Sequence, residues 1–368
     1  MSKIDFKKPT ICIVTCYRQP DYLRVVTLRQ GLKDSDIFSE VIIIKNKHIN
    51  SLRYIEVLVD LIKVRFTKNP DMYLITFRGY ELLPLVLIVG VGKKIIYDEF
   101  INPVEWFVYE HKYLVGPLSF LGYLLRIWYS AMMKKTSVVI ADTESHAGYS
   151  AQLMSIPKDK YFTIPVGADE TMFQPTTITS KKSGRPFRVL YYGSMLPLHG
   201  ISYVLEAAVM MATNKDIEFH IVGGKKNIAD MVTKAQMRGA NIRYRAWVDY
   251  VELPQLFAGS DLCLGGPFGD TVQAGYVITG KTYQFLASAR PVLIGHNRET
   301  KLFTDKNNAL IVPMANQAAL AAAIEWAFSH PKELHSIAQN GRKLYEREFS
   351  SQRIAGYLRR LFASKRIF

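Results

Sequence analysis

Short apolar strands alternate with longer amphipathic stretches, and the pattern runs twice. It begins at residues 10–15 (TICIVT) and continues at 40–44 (EVIII), 72–77 (MYLITF), 94–98 (KIIYD) and 137–141 (SVVIA). Helical periodicity fills the gaps at 20–33, 51–67, 81–91, 103–134 and 144–154. The alternation restarts at 187–192 (FRVLYY) and goes on at 217–222, 241–245, 261–264, 291–294 and 309–312. Strands that are apolar throughout and separated by helices predict parallel sheets covered on both faces. Between the two runs, residues 174–186 (QPTTITSKKSGRP) are polar, have no apolar period and carry Pro and Gly, which reads as a linker. The fold class expected is therefore α/β, with two Rossmann-like doubly wound domains: residues 1–170, a linker at 171–186, and residues 187–350. A last amphipathic helix over 351–368 is expected to pack back on the first domain. A chain of 368 residues is long enough for both domains to bury a core of their own.

Composition narrows the partners. Hydrophobic residues make up 49% and charged residues 21%, which excludes disordered, collagenous and coiled-coil chains. Three cysteines (Cys12, Cys16, Cys263) are too few for a disulfide framework and fit a reducing, cytoplasmic setting. The first ten residues are polar and charged, unlike a secretory leader. The two most apolar stretches are residues 82–92, which are too short to span a bilayer, and residues 114–133, which are interrupted by Pro117, Gly122 and Arg126. Net charge is +15, concentrated late in the chain: residues 342–368 hold eight basic residues against two acids. That placement favours an anionic membrane face or phosphate-bearing substrates over nucleic acid, which would call for a basic stripe interleaved with aromatics.

The chemistry is written in the second half. FRVLYY is followed by Gly193-Ser194-Met195-Leu196-Pro197-Leu198-His199-Gly200 and then a helix. Such a turn either brings backbone and helix N–H groups to a phosphate or simply closes a βα unit. FHIVGG, ending at Gly223-Gly224, is a second turn of this kind. In Gly280-Lys281-Thr282-Tyr283-Gln284 the lysine stands in the first turn of a helix, where its charge opposes the dipole. An anion between the two would relieve that conflict, and a solvated side chain is the alternative. Asp34-Ser35-Asp36 precedes a strand and reads as a solvated turn.

These segments, with IRYRAWVDYVELPQLFAGSDLCLG, GKTYQFLASARPVLIG, residues 151–175 and SVVIADTESH, resemble in order the motifs of family 4-type (group 1) glycosyltransferases of the GT-B fold. The resemblance covers residues 137–349 well and 10–136 in layout. It implies retaining transfer of a sugar from a nucleoside diphosphate donor to an acceptor hydroxyl, with no metal or other cofactor. It further implies that Gly193, Ser194, Lys281 and Thr282 hold the diphosphate, that Gly223, Trp247 and Val248 lie by the nucleotide, and that Gln284 lies by the ribose; His199 reads either as a further phosphate contact or as a helix-start residue. The family's basic pair falls here on Ser194 and His199, and its two glutamates fall on Tyr276 and Gln284.

In the first domain Cys16-Tyr17-Arg18 replaces the usual glycine pair. Arg18, Arg78 and Gly79 are expected on the acceptor side, with Arg18 either reaching the diphosphate across the cleft or simply solvated. Asp98 and Glu99 close a strand, where a carboxylate either acts as general base or caps a loop. With Lys281 they are the catalytic candidates. Residues 113–133 read either as a buried helix or as an interfacial surface beside Lys134-Lys135. The latter suits a lipid-linked or other glycan acceptor at the inner face of a membrane. Rival readings are a nucleotide-sugar 2-epimerase and a non-catalytic subunit that binds a nucleotide sugar.

Overall fold

The computed structural model describes residues 8–175 and 184–364. The chain divides into two compact units: the first runs to Val166 and takes back the segment from Ser351, and the second is Gly167–Ser350. The division falls a few residues before the one expected at 170/171. Residues 176–183 of the expected linker, and 365–368 of the expected C-terminal helix, lie outside the described residues.

The first unit runs β1 (Thr10–Thr15), α1 (Leu23–Ser35), β2 (Glu40–Lys45), α2 (Leu52–Thr67), β3 (Met72–Ile75), α3 (Leu83–Val89), β4 (Lys94–Asp98), α4 (Ser119–Lys135), β5 (Val138–Ala141), α5 (Glu144–Met154), β6 (Tyr161–Thr163). The second runs β7 (Phe187–Tyr192), α6 (Ile201–Met210), β8 (Ile217–Val222), α7 (Lys226–Met237), β9 (Ile242–Arg245), α8 (Leu253–Ala258), β10 (Leu262–Leu264), α9 (Gly280–Ala287), β11 (Val292–His296), β12 (Leu310–Pro313), α10 (Gln317–Ser329), α11 (Pro331–Glu348). The chain then returns to the first unit as α12 (Ser351–Ala363).

The first sheet has the order β2-β1-β3-β4-β5-β6, parallel at every pairing. The chain steps one way from β1 to β2 and the other way thereafter. Right-handed crossovers therefore put α1 on one face and α2 to α5 on the other. Burial follows the pleat. Cys12, Val14, Tyr73, Ile75 and Tyr97 pack with Val57 and Leu61 of α2, Val86 of α3 and Met133 of α4. The alternate residues Ile11, Ile13, Leu74 and Ile96 pack with Leu28 and Leu32 of α1 and Ile354 and Leu358 of α12. The α1–α12 contact is close: a Cβ on Gly31 would sit 2.5 Å from Ile354 Cγ2. Arg359 donates to the carbonyls of Ser35 and Asp34 at 3.0 and 2.9 Å, closing the C-terminal end of α1.

The helix expected over 103–134 is broken. A π-helical turn spans Glu105–Glu110 and a 3₁₀ turn spans Gly116–Leu118 before α4 begins. Gly116 has φ +60° and Pro117 has no N–H to give, so the chain re-nucleates there.

The second sheet has the order β12-β11-β10-β7-β8-β9, also parallel throughout. From β7 the chain builds outward through β8 to β9, then returns to the other side of β7 as β10. The strand order thus reverses between β7 and β10, and the loops leaving those two strands diverge. In open sheets of this kind that crevice is where ligands bind.

Candidate functional site

The crevice in the second unit is built from turns that only glycine permits. Gly193 leaves β7 at φ +141°, and Gly223 leaves β8 at φ +105°, where a Cβ would lie 2.2 Å from the Gly193 carbonyl oxygen. Gly200 adopts φ +66°, and a Cβ there would lie 2.5 Å from both Gly269 N and Phe268 C. These contacts hold the 193–200 turn against the 265–269 loop that leaves β10, and α6 starts directly behind it. Across the crevice α9 starts at Gly280. Neither α6 nor α9 has a side-chain cap: α6 follows Gly200, which has no side chain, and ahead of α9 the Thr279 hydroxyl donates to the Gly265 carbonyl at 2.6 Å. Two helix N-termini thus present backbone N–H groups and the positive ends of their dipoles.

Lys281 points its amine into this place although only 6% of the residue is exposed. Nζ makes one long bond, 3.4 Å to the Tyr192 carbonyl, and lies 4.3 Å from the centre of the Tyr191 ring. Among the described residues no carboxylate pairs with it. Burial pushes its pKa down to about 7. The His199 ring faces the same spot: a Cβ on Gly193 would be 3.7 Å from His199 Cε1 and 3.8 Å from Lys281 Nζ. His199 Nδ1 is buried without a partner, and burial together with the Lys281 charge holds the ring well below its usual pKa. A buried amine with no counter-charge, an unsatisfied ring nitrogen and two uncapped helix starts are costly together, and an anion would satisfy all of them.

The other residues expected around the nucleotide divide. Ser194 is exposed in the turn, Trp247 is 70% exposed, and Val248 beside it is half-buried. Thr282 is a correction: it is fully buried, its hydroxyl is engaged with Thr279, and a Cβ on Gly265 would strike it, so it seals α9 to β10 and reaches no ligand. Gln284 is also committed: its Oε1 accepts from the Tyr192 hydroxyl and its Nε2 donates to the Tyr250 hydroxyl at 3.3 Å. It positions two tyrosines rather than standing free for a ribose. Neither tyrosine stands out in the sequence: Tyr192 ends the apolar run FRVLYY, and Tyr250 lies in the turn before α8.

In the first unit the carboxylates are corrected outright. Asp98 is 1% exposed, and its Oδ1 accepts from Arg24 Nε and Nη2 at 3.0 and 2.9 Å. Arg24, itself fully buried, also donates to the carbonyls of Ile164 and Pro165. Glu99 is fully buried and accepts from Ser150, Tyr129 and Asn102. Burial raises the pKa of both acids. Neither meets solvent, so neither can take a proton from an acceptor hydroxyl. Gly79 is likewise a packing residue, pressed on Ile75 and Tyr97. Arg78 is held by Glu81 Oε1 at 2.6 Å and by the Tyr80 hydroxyl at 2.7 Å. Arg18 is exposed after β1. Arg24 escaped notice in the sequence; the one signal for it is an arginine at the start of an otherwise apolar helix stripe.

Among the described residues no three His, Cys, Asp or Glu side chains come together to hold a metal, and no helix is long and apolar enough to cross a membrane.

Comparison with known proteins gives a consistent picture. A family model described as "Glycosyl transferase-like" matches residues 203–360. The MMP α-(1→4)-mannosyltransferase of Mycolicibacterium hassiacum is 25% identical over 254 residues, which is 63% of this chain and 56% of that protein. The match thus spans little more than half the length of the curated relative. HepE of Anabaena, crystallised with UDP and glucose, superposes with a TM-score of 0.70 at 14% identity, covering 97% of this chain and all of that one. Sucrose-phosphate synthase from Thermosynechococcus elongatus does so with a TM-score of 0.70 at 14% identity, covering 96% of this chain and 98% of that one.

Proposed function

We propose that this chain, a group 1 glycosyltransferase by its matched segment and GT-B by its fold, transfers a sugar from a nucleoside diphosphate sugar to an acceptor hydroxyl. The observation that carries the proposal is the Lys281 amine, buried with no carboxylate partner among the described residues, beside the unpartnered Nδ1 of His199. The diphosphate sits between the starts of α6 and α9. As the bond from the anomeric carbon to the diphosphate oxygen breaks, negative charge grows on that oxygen. The Lys281 ammonium and the two helix dipoles neutralise it without reorganising. With Asp98 and Glu99 sealed, the proton of the attacking hydroxyl passes to the departing phosphate on the same face of the sugar. That course retains the anomeric configuration and calls for no protein nucleophile and no metal. HepE of Anabaena was crystallised with UDP and with UDP-glucose, which makes a uridine nucleotide the first donor to try. The acceptor is a surface polysaccharide or a lipid-linked glycan, reached from the inner face of a membrane.

A second reading, a donor-binding subunit without turnover, draws on the Tyr276 position, which is buried and not acidic where the resemblance places a glutamate. One experiment tests both. UDP, GDP, dTDP, ADP and CMP with their sugars are screened by thermal shift in the presence of EDTA, followed by assay for free sugar. A ligand at 100 times its dissociation constant adds about 2.7 kcal/mol. A selective shift that Lys281→Met abolishes, with slow release of sugar, is expected. A shift without sugar release leaves the binding subunit, and no shift with any nucleotide removes the donor site.

A further inference from the structure

Helices α2, α3 and α4 form one layer on the first sheet, α2 packed on α3 and α3 on α4. Their inner sides are core. Their outer sides are apolar as well. On α2, Leu52, Ile55, Val59, Ile62 and Phe66 are 41–83% exposed. Their spacing of three and four residues draws one stripe directly opposite the buried Val57 and Leu61. On α3 and just past its end, Ile88 and Val91 are each 69% exposed. On α4, Phe120, Tyr123, Leu124, Ile127 and Trp128 are 46–63% exposed, opposite the buried Gly122, Tyr129 and Met133. Tyr113, 61% exposed, extends the face beyond α4. A helix that is apolar all round is a buried helix, and an exposed apolar face this wide marks a docking surface.

Charge and composition name what docks. Residues 111–141 contain no acid at all, and Lys112, Lys134 and Lys135 stand exposed with Arg126 half-exposed among them. Trp and Tyr beside Lys and Arg on an apolar helix face is the composition of side chains that settle at the headgroup level of a bilayer. We propose that the outer face of the α2–α3–α4 layer docks on an anionic lipid surface. This deepens the membrane side of the reading above by naming the surface that makes the contact. It uses no residue of the donor site, so the two can fail separately.

The test is co-sedimentation of the full chain with vesicles of phosphatidylcholine, alone or mixed with phosphatidylglycerol, at low and at high salt. Binding to the anionic vesicles, weakened by salt, is expected, with a blue shift of tryptophan emission that Trp128→Phe reduces. The double variants Ile62→Glu/Phe66→Glu and Phe120→Glu/Trp128→Glu lose binding by roughly tenfold or more each. They change exposed side chains, so their melting temperature and their response to nucleotide stay as in the parent. Absence of binding at low salt, double variants that bind like the parent, or equal binding to neutral vesicles would overturn the proposal. So would a dimer in sedimentation equilibrium that both double variants dissolve, since a second copy of the chain would then be the occupant.

Discussion

At the scale of single residues, Lys281 makes the sharpest pH prediction. Folded and unliganded, its amine loses its proton near pH 7, whereas the usual value is 10.5. Between those values the unfolded chain holds one proton more than the folded chain. Stability from this group therefore rises as the pH climbs from about 7 toward 10.5. At the proposed donor site, nucleotide binding is expected to run the other way, because a diphosphate needs the ammonium. Affinity is highest below about pH 7 and falls above it by up to roughly tenfold per pH unit. Calorimetric titration with the preferred nucleotide across that range is expected to show the fall in the parent and a flat profile in Lys281→Met. The variant also weakens binding by about 1.5–3 kcal/mol at neutral pH. Asp98 makes the opposite kind of prediction. Asp98→Asn leaves the Arg24 guanidinium buried without its counter-charge, so a loss of about 3–5 kcal/mol in urea unfolding is expected, with nucleotide affinity unchanged in the fraction that folds. A variant as stable as the parent would speak against the pair as a structural anchor.

At the scale of elements, β5 and α5 meet at a buried charge pair. His146 donates its backbone N–H to the Thr143 hydroxyl at 3.1 Å, and its Nδ1 lies 2.6 Å from Asp142 Oδ1. Burial pulls the imidazole pKa down, but Asp142 and the nearby acids Glu99 and Glu105 outweigh it and lift the ring to about 9. The folded value lies above the usual 6.5, so the stability it contributes is complete below about pH 6.5 and is lost as pH rises through about 9. The difference in urea midpoint between the parent and His146→Gln is expected to shrink across that window. The strands were legible because strands covered on both faces read as unbroken apolar runs, and the break before α4 is written in Gly116-Pro117. The cluster of Gly193, His199 and Lys281 was half legible: its glycine turn and its lysine in a first helical turn stood out in the sequence, but whether they closed a βα unit, met solvent or faced one another did not. The fates of Asp98 and Glu99 were not legible, because the guanidinium that consumes Asp98 comes from 74 residues away and the hydroxyl of Ser150 from 51 residues beyond Glu99. A strand-end carboxylate looks the same in sequence whether it faces solvent or a buried arginine.

At the scale of the whole molecule, the chain leaves its first unit at Val166 and comes back to it with α12, which joins α1 in covering one face of the first sheet. Ile354, Leu358, Leu361 and Phe362 are each at most 1% exposed there, packed with Leu28 and Leu32. Burying a side chain of this size is worth about 1.5–3 kcal/mol. Four of them amount to roughly the entire stability of an ordinary domain, about 5–15 kcal/mol. A chain ended after Ser350 is therefore expected to lose the cooperative unfolding of the first unit. The second unit keeps all of its strands, its core and the Gly193–His199–Lys281 site. Scanning calorimetry of the shortened chain should show one remaining transition that the preferred nucleotide still raises, with the rest of the unfolding heat gone. If the heat is undiminished, α12 is dispensable cover and the burial argument fails. If the nucleotide response vanishes along with the heat, the second unit does not bind the nucleotide on its own, and the proposed placement of the donor between Gly193, His199 and Lys281 fails for the isolated unit.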